Sequence, residues 1–278
     1  MNSGSEPFSL RDIGKDTFLT YKNHIKSILL LCLLVILPLS LVQVFLIDPS
    51  FEVKDLNAIL GEAESFSALL ENEGTLTDLQ LSQLTRYFYY RAVSFVLSLL
   101  AVVLQLAVIK ITYYSHQQIP YQLFDVFDES VRLFPKALVT CLMMYCVVFC
   151  GLLFFIFPGI FAAIILYFAV YAVAVTGLWG PKALTFSSLI SRGKVLKILL
   201  LIIGLAVFRT AYTYLLGFLF GLIPLHSAAT VLYQFSDNLI SCLTFIFCTK
   251  YFLHIMGSVD IAIFRKKNGP DTARRPER

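Results

Sequence analysis

The stretch FFIFPGIFAAIILYF, residues 154–168, places a Pro-Gly pair in the middle of a long apolar run. No charged residue occurs between Lys136 and Lys182, so the uncharged stretch covers residues 137–181. A helix in a soluble core would rarely continue so far without a charge. A membrane helix, in contrast, needs about 20 apolar residues to cross the hydrocarbon layer.

Cutting the run at Pro158 and Gly159 leaves 137–157 and 160–180, two segments of spanning length. Proline stops a helix and glycine permits a tight turn. The pair therefore predicts a hairpin between two transmembrane helices, with the turn at the outer face. The alternative is a kink within one long, tilted helix.

The composition agrees with a membrane protein. Hydrophobic residues make up 58% of the chain and the mean hydropathy is +0.78. Charged residues make up 14%, against about 25% in ordinary soluble domains. No polar block is long enough for a separate soluble domain. These values predict an all-α, polytopic membrane bundle and argue against a soluble enzyme.

Hydropathy predicts about six transmembrane helices. The predicted spans are residues 27–47, 92–113, 137–157, 160–180, 196–223 and 239–264. The first apolar run is about twice the length of a signal-peptide core, and no small-x-small cleavage site follows it. We therefore expect the first span to be an uncleaved helix.

The basic residues predict the orientation, because Lys and Arg concentrate in cytoplasmic segments. Of the 22 Lys and Arg residues, 17 fall on one side of the predicted spans. They are Arg11, Lys15, Lys22, Lys26, Lys110, Arg132, Lys136, Lys182, Arg192, Lys194, Lys197, Arg265, Lys266, Lys267, Arg274, Arg275 and Arg278. Both termini are predicted to be cytoplasmic in a bacterial inner membrane.

This gives three regions. Residues 1–26 form a cytoplasmic amphipathic segment, residues 27–264 the six-span membrane domain, and residues 265–278 a basic cytoplasmic tail. Within the membrane domain, the outer loop 48–91 is acidic and predicts a short amphipathic helix over LNAILGEAESFSALL. That helix either caps the outer mouth of the bundle or forms a loop that binds a partner or collects ions.

Three cytoplasmic segments resemble one another and suggest an internal repeat. They are DIGKDTFLTYKNHIKSILLL, DVFDESVRLFPKALVTCLMM and ALTFSSLISRGKVLKILLLI. Each has a small hydroxyl residue (Thr17, Ser130, Ser187) before basic residues and a span. Such stretches suit interfacial amphipathic elbow helices, here before spans one, three and five, with the apolar side in lipid. The alternative is that any short cytoplasmic connector is basic and half apolar.

The segments PGIFAAIILYF and KALTFSSLISRGK, together with the N-terminal FSLRDIGKDTFLTYKNHIKSILLL, resemble the YciC-like family of bacterial inner-membrane proteins. More distantly, the chain is similar to the membrane domain attached to some glycerophosphodiester phosphodiesterases. The resemblance implies a multi-pass inner-membrane protein with no assigned reaction. It also implies a link to lipids or envelope upkeep.

Two cations inside predicted spans are the candidate functional or lipid-contact residues. Arg209 lies near the middle of span five, where a charge costs at least about 2.5 kcal/mol to insert. It is expected to face the bundle interior, a polar cavity or a partner, either as an anion or lipid-headgroup contact or as a structural hydrogen-bond donor. Lys250 lies in span six, with no obvious acidic partner for either cation at mid-membrane depth. Contact with an anionic lipid is the functional interpretation for both, and snorkelling to the interface is the alternative.

Other chemistry is not indicated. Neither a nucleophile elbow, nor a zinc-protease helix, nor a phosphate-binding glycine loop, nor paired carboxylates in a span occurs in the sequence. The six cysteines all fall in predicted spans and suit packing, and the histidines are isolated. We therefore expect no catalytic residue, metal site or cofactor, and no binding of nucleic acid by the basic tail.

The sequence favours a non-enzymatic protein of envelope or lipid homeostasis, with membrane lipids as partners and a membrane protein as a further candidate partner. The alternative is a transporter or channel for a small anionic or amphipathic solute, with Arg209 in its pathway. A membrane enzyme is the third and least favoured class.

Overall fold

The computed structural model describes residues 10–46, 78–221 and 226–257, and all of its regular structure within these ranges is helical. The helices are α1 (Leu10–Leu46), α2 (Asp78–His116), α3 (Leu123–Phe154), α4 (Ile156–Leu166), α5 (Ala169–Thr176), α6 (Pro181–Ser191), α7 (Val195–Gly221) and α8 (His226–Gly257). The predicted helix in loop 48–91 lies largely outside the described residues. So do the end of span six and the basic tail.

Six helical segments are long and apolar enough to cross a membrane. They are Arg11–Val42, Leu84–His116, Leu123–Phe154, Ile156–Thr176, Val195–Phe220 and Val231–Gly257. Large apolar side chains cover the outside of the bundle, including Leu142, Phe149, Val207 and Phe218. Such an exterior suits lipid rather than water. The prediction of an all-α, multi-pass membrane bundle is confirmed.

Two of the three expected elbow helices are not separate helices. Helix α1 runs without a break from the N-terminal amphipathic segment into the first span, because residues 17–27 contain neither glycine nor proline. Helix α3 likewise continues through Pro135 into the third span. Only α6 is a separate short helix, since Arg192 leaves helical geometry and Gly193 adopts a φ of 73° before α7 begins.

Helices α3 and α4 form an antiparallel hairpin, but the chain turns at Phe155 rather than at Pro158-Gly159. Phe155 is extended, with φ −157° and ψ 141°, and α4 begins at the next residue. Pro158 therefore lies in the first turn of α4, where its missing N–H costs no hydrogen bond. A single long helix with a kink is excluded by this reversal.

Gly159 serves the hairpin through its size. A Cβ atom on Gly159 would meet the backbone nitrogen of Leu152 at 2.7 Å. A Cβ on Gly151 of α3 would meet the Gly159 Cα at 2.9 Å. The two glycines thus permit an approach of the two backbones that no larger residue would allow.

The fourth span is broken in its interior. Helix α4 ends at Leu166 and α5 starts at Ala169, so Tyr167 and Phe168 separate two half-helices. The hydroxyls of Ser187 and Ser191 on α6 donate to the Ile165 carbonyl at 2.8 and 3.1 Å. They satisfy a carbonyl that the break leaves without its usual helical partner, as irregular backbone within a membrane requires.

This contact changes the interpretation of α6. Its apolar side packs against the bundle, since Ala183, Leu184, Phe186 and Ile190 are buried. The expectation that this apolar side lies in lipid is therefore wrong. The other two hydroxyls of the suggested repeat are also buried, but they differ in their contacts. Ser130 donates to the Val126 carbonyl of its own helix, and Thr17 Oγ1 has no hydrogen-bond partner among the described residues.

The helices surround α5, in which every residue from Ala169 to Ala174 is buried. Helices α1, α2 and α8 pack together on one side. Helix α7 is peripheral, and only Ile198, Leu201, Tyr212 and Leu216 on it are buried. A contact between Asp16 of α1 and Lys250 of α8 places the start of the first helix and the end of the last at the same end of the bundle.

Candidate functional site: a cavity beside Arg209

A cavity of about 690 Å³ lies between α2, α3, α7 and the broken fourth span, with α8 contributing to its wall. Its volume is within the range of about 300–1,000 Å³ that is typical of small-molecule sites. Most of its lining is apolar. A few side chains carry polar atoms, and they are Gln105, Tyr145, Tyr167, Tyr171, Arg209 and Thr244.

Arg209 is the charged residue in this lining. Its side chain is 61% exposed, so the protein itself leaves most of the guanidinium uncovered. The sequence predicted that Arg209 faces the interior or a cavity, and the structure places it in the cavity wall. A charge here lies near the middle of α7, where lipid alone would solvate it poorly.

The acid nearest to Arg209 is Asp237 of α8, contrary to the expectation that this cation has no acidic partner. The Nη2–Oδ2 distance is 3.6 Å, which is too long for a hydrogen bond. Within the described part of the chain, the guanidinium makes no hydrogen bond. Its planar fork of donors is therefore free to receive an anionic group.

Asp237 is held in place from its other side. The Tyr212 hydroxyl donates to Asp237 Oδ1 at 3.0 Å and lies 3.2 Å from the Ser241 hydroxyl. Tyr212 is buried, one turn beyond Arg209 on α7. The carboxylate is thus tied to the α7–α8 contact instead of reaching fully toward the arginine.

One side of the cavity is open toward the outside of the bundle. Phe95 of α2 is 64% exposed and Tyr145 of α3 is 65% exposed, and both line the cavity with Arg209. A ligand could therefore enter sideways from the bilayer, between α7 and the α2–α3 pair. The exposed guanidinium would be the polar group that such a ligand meets.

The inner wall of the cavity is the break in the fourth span. Tyr167 lies in the break itself and its hydroxyl is 3.4 Å from the Cys248 sulfur. Tyr171, one turn into α5, also lines the cavity and is buried. Broken helices beside a cavity are a frequent arrangement at binding sites of membrane transporters.

Lys250, the other candidate cation, is not among the residues that line this cavity. Its side chain is 9% exposed, and its Nζ lies 2.5 Å from Asp16 Oδ2. Lys250 thus has an acidic partner, Asp16, which belongs to the N-terminal segment outside the predicted spans. A direct lipid contact by this residue remains a prediction.

A polar network connects the helices at the end of the bundle that holds Lys250. Lys110 Nζ lies 2.6 Å from Glu129 Oε1, and the Tyr114 hydroxyl donates to Glu129 Oε2 at 2.6 Å. His24 lies between Ser115, at 3.0 Å, and the Tyr121 hydroxyl, at 2.8 Å. Burial raises the pKa of Tyr121 above that of a free tyrosine.

His24 belongs to this network, although the sequence shows the histidines as isolated residues. His24 is isolated in sequence but contacts two other segments in space. Every member of the network has a close polar partner, and none of them is among the residues lining the cavity. We therefore assign the network to helix packing rather than to ligand binding.

The cysteines lie within helices, and those in the described ranges are free thiols. Cys32 of α1 and Cys242 of α8 are buried with their sulfur atoms 3.8 Å apart. No group of three or more potential metal-ligating side chains is found among residues 10–46, 78–221 and 226–257.

Comparisons with protein-family models, with curated proteins and with solved structures give no match for this chain. The resemblance to the YciC-like family therefore stays a prediction.

The sequence located Arg209 but not the residues that surround it. Gln105 and the lining residues Tyr145, Tyr167 and Tyr171 lie on other segments, as does Asp237, which faces Arg209 from outside the lining. The sequence alone gives no signal for which helix faces lie together. The aromatic-polar stretch around Arg209 was the one sign that this face of α7 is not purely lipid-facing.

Proposed function

We propose that this multi-pass membrane protein binds an anionic amphiphile, such as a phospholipid, in the cavity beside Arg209 and serves envelope or lipid homeostasis. The observation that carries the proposal is the Arg209 guanidinium itself: it lines the cavity, is 61% exposed and makes no hydrogen bond in the described part of the chain. An anionic headgroup would supply the missing acceptors in bidentate geometry.

The rest of the lining suits the apolar part of such a ligand. Leu99, Val102, Leu138 and Val148 are among the apolar side chains around the cavity. The open side at Phe95 and Tyr145 allows entry from the bilayer. A molecule with one charged end and a hydrocarbon chain would meet both kinds of surface at once.

We also propose the membrane in which the protein resides and its functional class. The one-sided distribution of Lys and Arg supports a bacterial inner membrane with both termini in the cytoplasm, and the resemblance to the YciC-like family supports the same membrane. The absence of catalytic motifs from the sequence favours a non-enzymatic role. Membrane lipids are then the principal partners, a second membrane protein is a further possibility, and nucleic acid is not a partner.

The test is native mass spectrometry of the purified full chain, titrated with phosphatidylglycerol or with phosphatidylcholine. We expect the wild type to prefer phosphatidylglycerol and Arg209→Met to lose that preference by roughly tenfold, the effect of losing about one charge-assisted hydrogen bond. Arg132→Met is the matched control, because Arg132 is exposed and pairs with Asp128 outside the cavity.

Lys250→Met separates the two candidate cations. A loss of preference in Arg209→Met alone would support the cavity, whereas equal losses in both variants and in Arg132→Met would indicate general surface charge. Retention of the full preference by Arg209→Met, with the variant still folded, would contradict the proposal.

A second candidate function is transport of a small anionic or amphipathic solute. The break of the fourth span at Tyr167 and Phe168, beside the cavity, favours it, since discontinuous helices recur in transporters. Flux of a fluorescent anionic lipid or solute in proteoliposomes distinguishes the two functions. Flux that depends on Arg209 would indicate a transporter, and saturable binding without flux would indicate a lipid-binding protein.

A further inference from the structure

Asp237 occupies an unusual position for a carboxylate beside an arginine. It faces Arg209 at 3.6 Å without a hydrogen bond, while its other oxygen accepts the Tyr212 hydroxyl at 3.0 Å. Its side chain is 19% exposed, much less than the 61% of the arginine. The Asp237 carboxylate is therefore enclosed by the protein, whereas the Arg209 guanidinium is exposed at the cavity.

Two other cross-helix ion pairs have the close contact that Arg209 and Asp237 lack. Lys110 approaches Glu129 to 2.6 Å and Lys250 approaches Asp16 to 2.5 Å. In both pairs the cation is the enclosed partner, with its side chain 9% exposed. In the Arg209–Asp237 pair the acid is the enclosed partner, and the two side chains stay 3.6 Å apart.

The separation has a consequence for an incoming anion. A carboxylate near a guanidinium stabilises the cation, but it also repels any second anion that approaches the same group. Tyr212 fixes the carboxylate from behind, so Asp237 cannot move away freely when a ligand arrives. The free energy of ligand binding thus includes the repulsion between Asp237 and the ligand.

From this geometry we infer that Asp237 is a specificity-determining residue: a built-in competitor that neutralises Arg209 when the cavity is empty and weakens the binding of anionic ligands. This inference rests on the proposed function, because Asp237 faces Arg209, which lines the cavity, while Asp237 itself lies outside the lining. Asp237 supplies a fixed negative charge beside the arginine, so the anionic group of the ligand must bind the guanidinium against its repulsion. The pair keeps the ligand exchangeable instead of permanently bound.

We therefore expect removal of the negative charge at position 237 to strengthen the binding of an anionic lipid. Asp237→Asn retains the size and a hydrogen-bond acceptor for Tyr212 but removes the negative charge. Its affinity for phosphatidylglycerol should rise roughly fivefold, the factor expected for one partly exposed charge interaction. Its affinity for phosphatidylcholine should change less, since the choline ammonium offsets the charge of the phosphate.

Asp237→Glu provides a second and opposite variant. The longer side chain keeps the charge and can extend across the 3.6 Å gap toward Arg209. We expect it to occupy the guanidinium more fully and to lower the affinity for phosphatidylglycerol. This variant keeps the inference testable even where Asp237→Asn fails to fold.

Asp128→Asn is the matched control, because it removes the same charge from an exposed pair with Arg132 outside the cavity. The measurement is the titration by native mass spectrometry with both lipids, at one salt concentration, on the full chain. The gain in Asp237→Asn should disappear when Arg209→Met is combined with it, since the competition requires the arginine.

The outcomes separate the two claims. If Arg209→Met keeps the preference for phosphatidylglycerol, the proposed function itself fails. If Arg209→Met loses the preference but Asp237→Asn binds phosphatidylglycerol no more tightly than the wild type, only the competitor role fails. A gain in Asp237→Asn that Asp128→Asn reproduces would likewise overturn it, as an effect of net charge alone.

Discussion

Two cross-helix ion pairs of this protein, Lys110–Glu129 and Arg209–Asp237, are built differently. Lys110 is enclosed, lies 2.6 Å from Glu129 and shares that carboxylate with Tyr114. Arg209 is largely uncovered and stays 3.6 Å from its acid. The first pair joins α2 to α3, and the second joins the peripheral helix α7 to α8 beside the cavity.

The Lys110–Glu129 pair uses its charges to pack two helices together, whereas Arg209 remains available to bind a ligand. A buried cation needs a close partner, because desolvation would otherwise cost several kcal/mol. Lys110 meets that requirement inside the protein. Arg209 does not, and its side chain lines a space large enough for a ligand. Lys250, with Asp16 at 2.5 Å, belongs with Lys110 in this respect.

The largest expected effect comes from breaking the closed pair. Lys110→Met leaves Glu129 and Tyr114 without their cation and should lower the free energy of unfolding by about 3 kcal/mol, the lower end for a broken buried pair because Glu129 is partly exposed. Arg209→Met should change it by less than about 1 kcal/mol, since a loosely paired and uncovered charge contributes little. Thermal unfolding in detergent measures both.

Equal losses of stability in the two variants would contradict the distinction between a packing pair and an open pair. A Lys110→Met/Glu129→Gln double variant that recovers part of the lost stability would sharpen it. That recovery would show that the unpaired carboxylate, and not the missing lysine volume, causes the loss.

The same contrast applies to two glycines on different helices. Gly159→Ala places a methyl group 2.7 Å from the Leu152 nitrogen, so the α3–α4 hairpin must open, at a cost of about 2 kcal/mol. Gly204→Ala on the peripheral helix α7 is the matched control, because, apart from the adjoining backbone of its own helix, no described atom lies within 4 Å of the added methyl. We expect Gly204→Ala to be neutral or slightly stabilising, as alanine favours a helix. Comparable melting temperatures for the two variants would show that the hairpin is not closely packed.

Much of the fold could be predicted from the sequence, because lipid imposes a length and a composition on every spanning helix. The number of spans followed from hydropathy, and the place of Arg209 in a cavity wall agrees with the cost of a charge in lipid. The turn at Phe155 could not be predicted in the same way. Proline and glycine mark the region of a turn, but Pro158 is equally compatible with the first turn of the next helix.

The break at Tyr167 and Phe168 carries no glycine or proline, so local sequence gives no indication of it. It depends on α6, whose serines satisfy the freed carbonyl of Ile165. The Asp237 partner of Arg209 was missed for a related reason. Each helix shows its own periodicity, but the relative depth of residues on two helices depends on tilt and on the connection between them.

The smallest predicted effect concerns the hydrogen bonds by which α6 satisfies the carbonyl freed at the break of the fourth span. Ser187→Ala removes one of two donors to the Ile165 carbonyl and should cost about 1 kcal/mol, the net value of one hydrogen bond. Ser188→Ala, on the same helix, is the control and should be close to neutral.

Because Ser191 still reaches the carbonyl at 3.1 Å in Ser187→Ala, the single variant keeps the site satisfied. Removing both hydroxyls would orphan the carbonyl, so the double variant should lose more stability than the sum of the two single variants. Simple additivity in thermal unfolding would mean that another group satisfies Ile165 once the serines are gone. In that case the break would depend on its own neighbours, and α6 would be attached to the bundle by its apolar side alone.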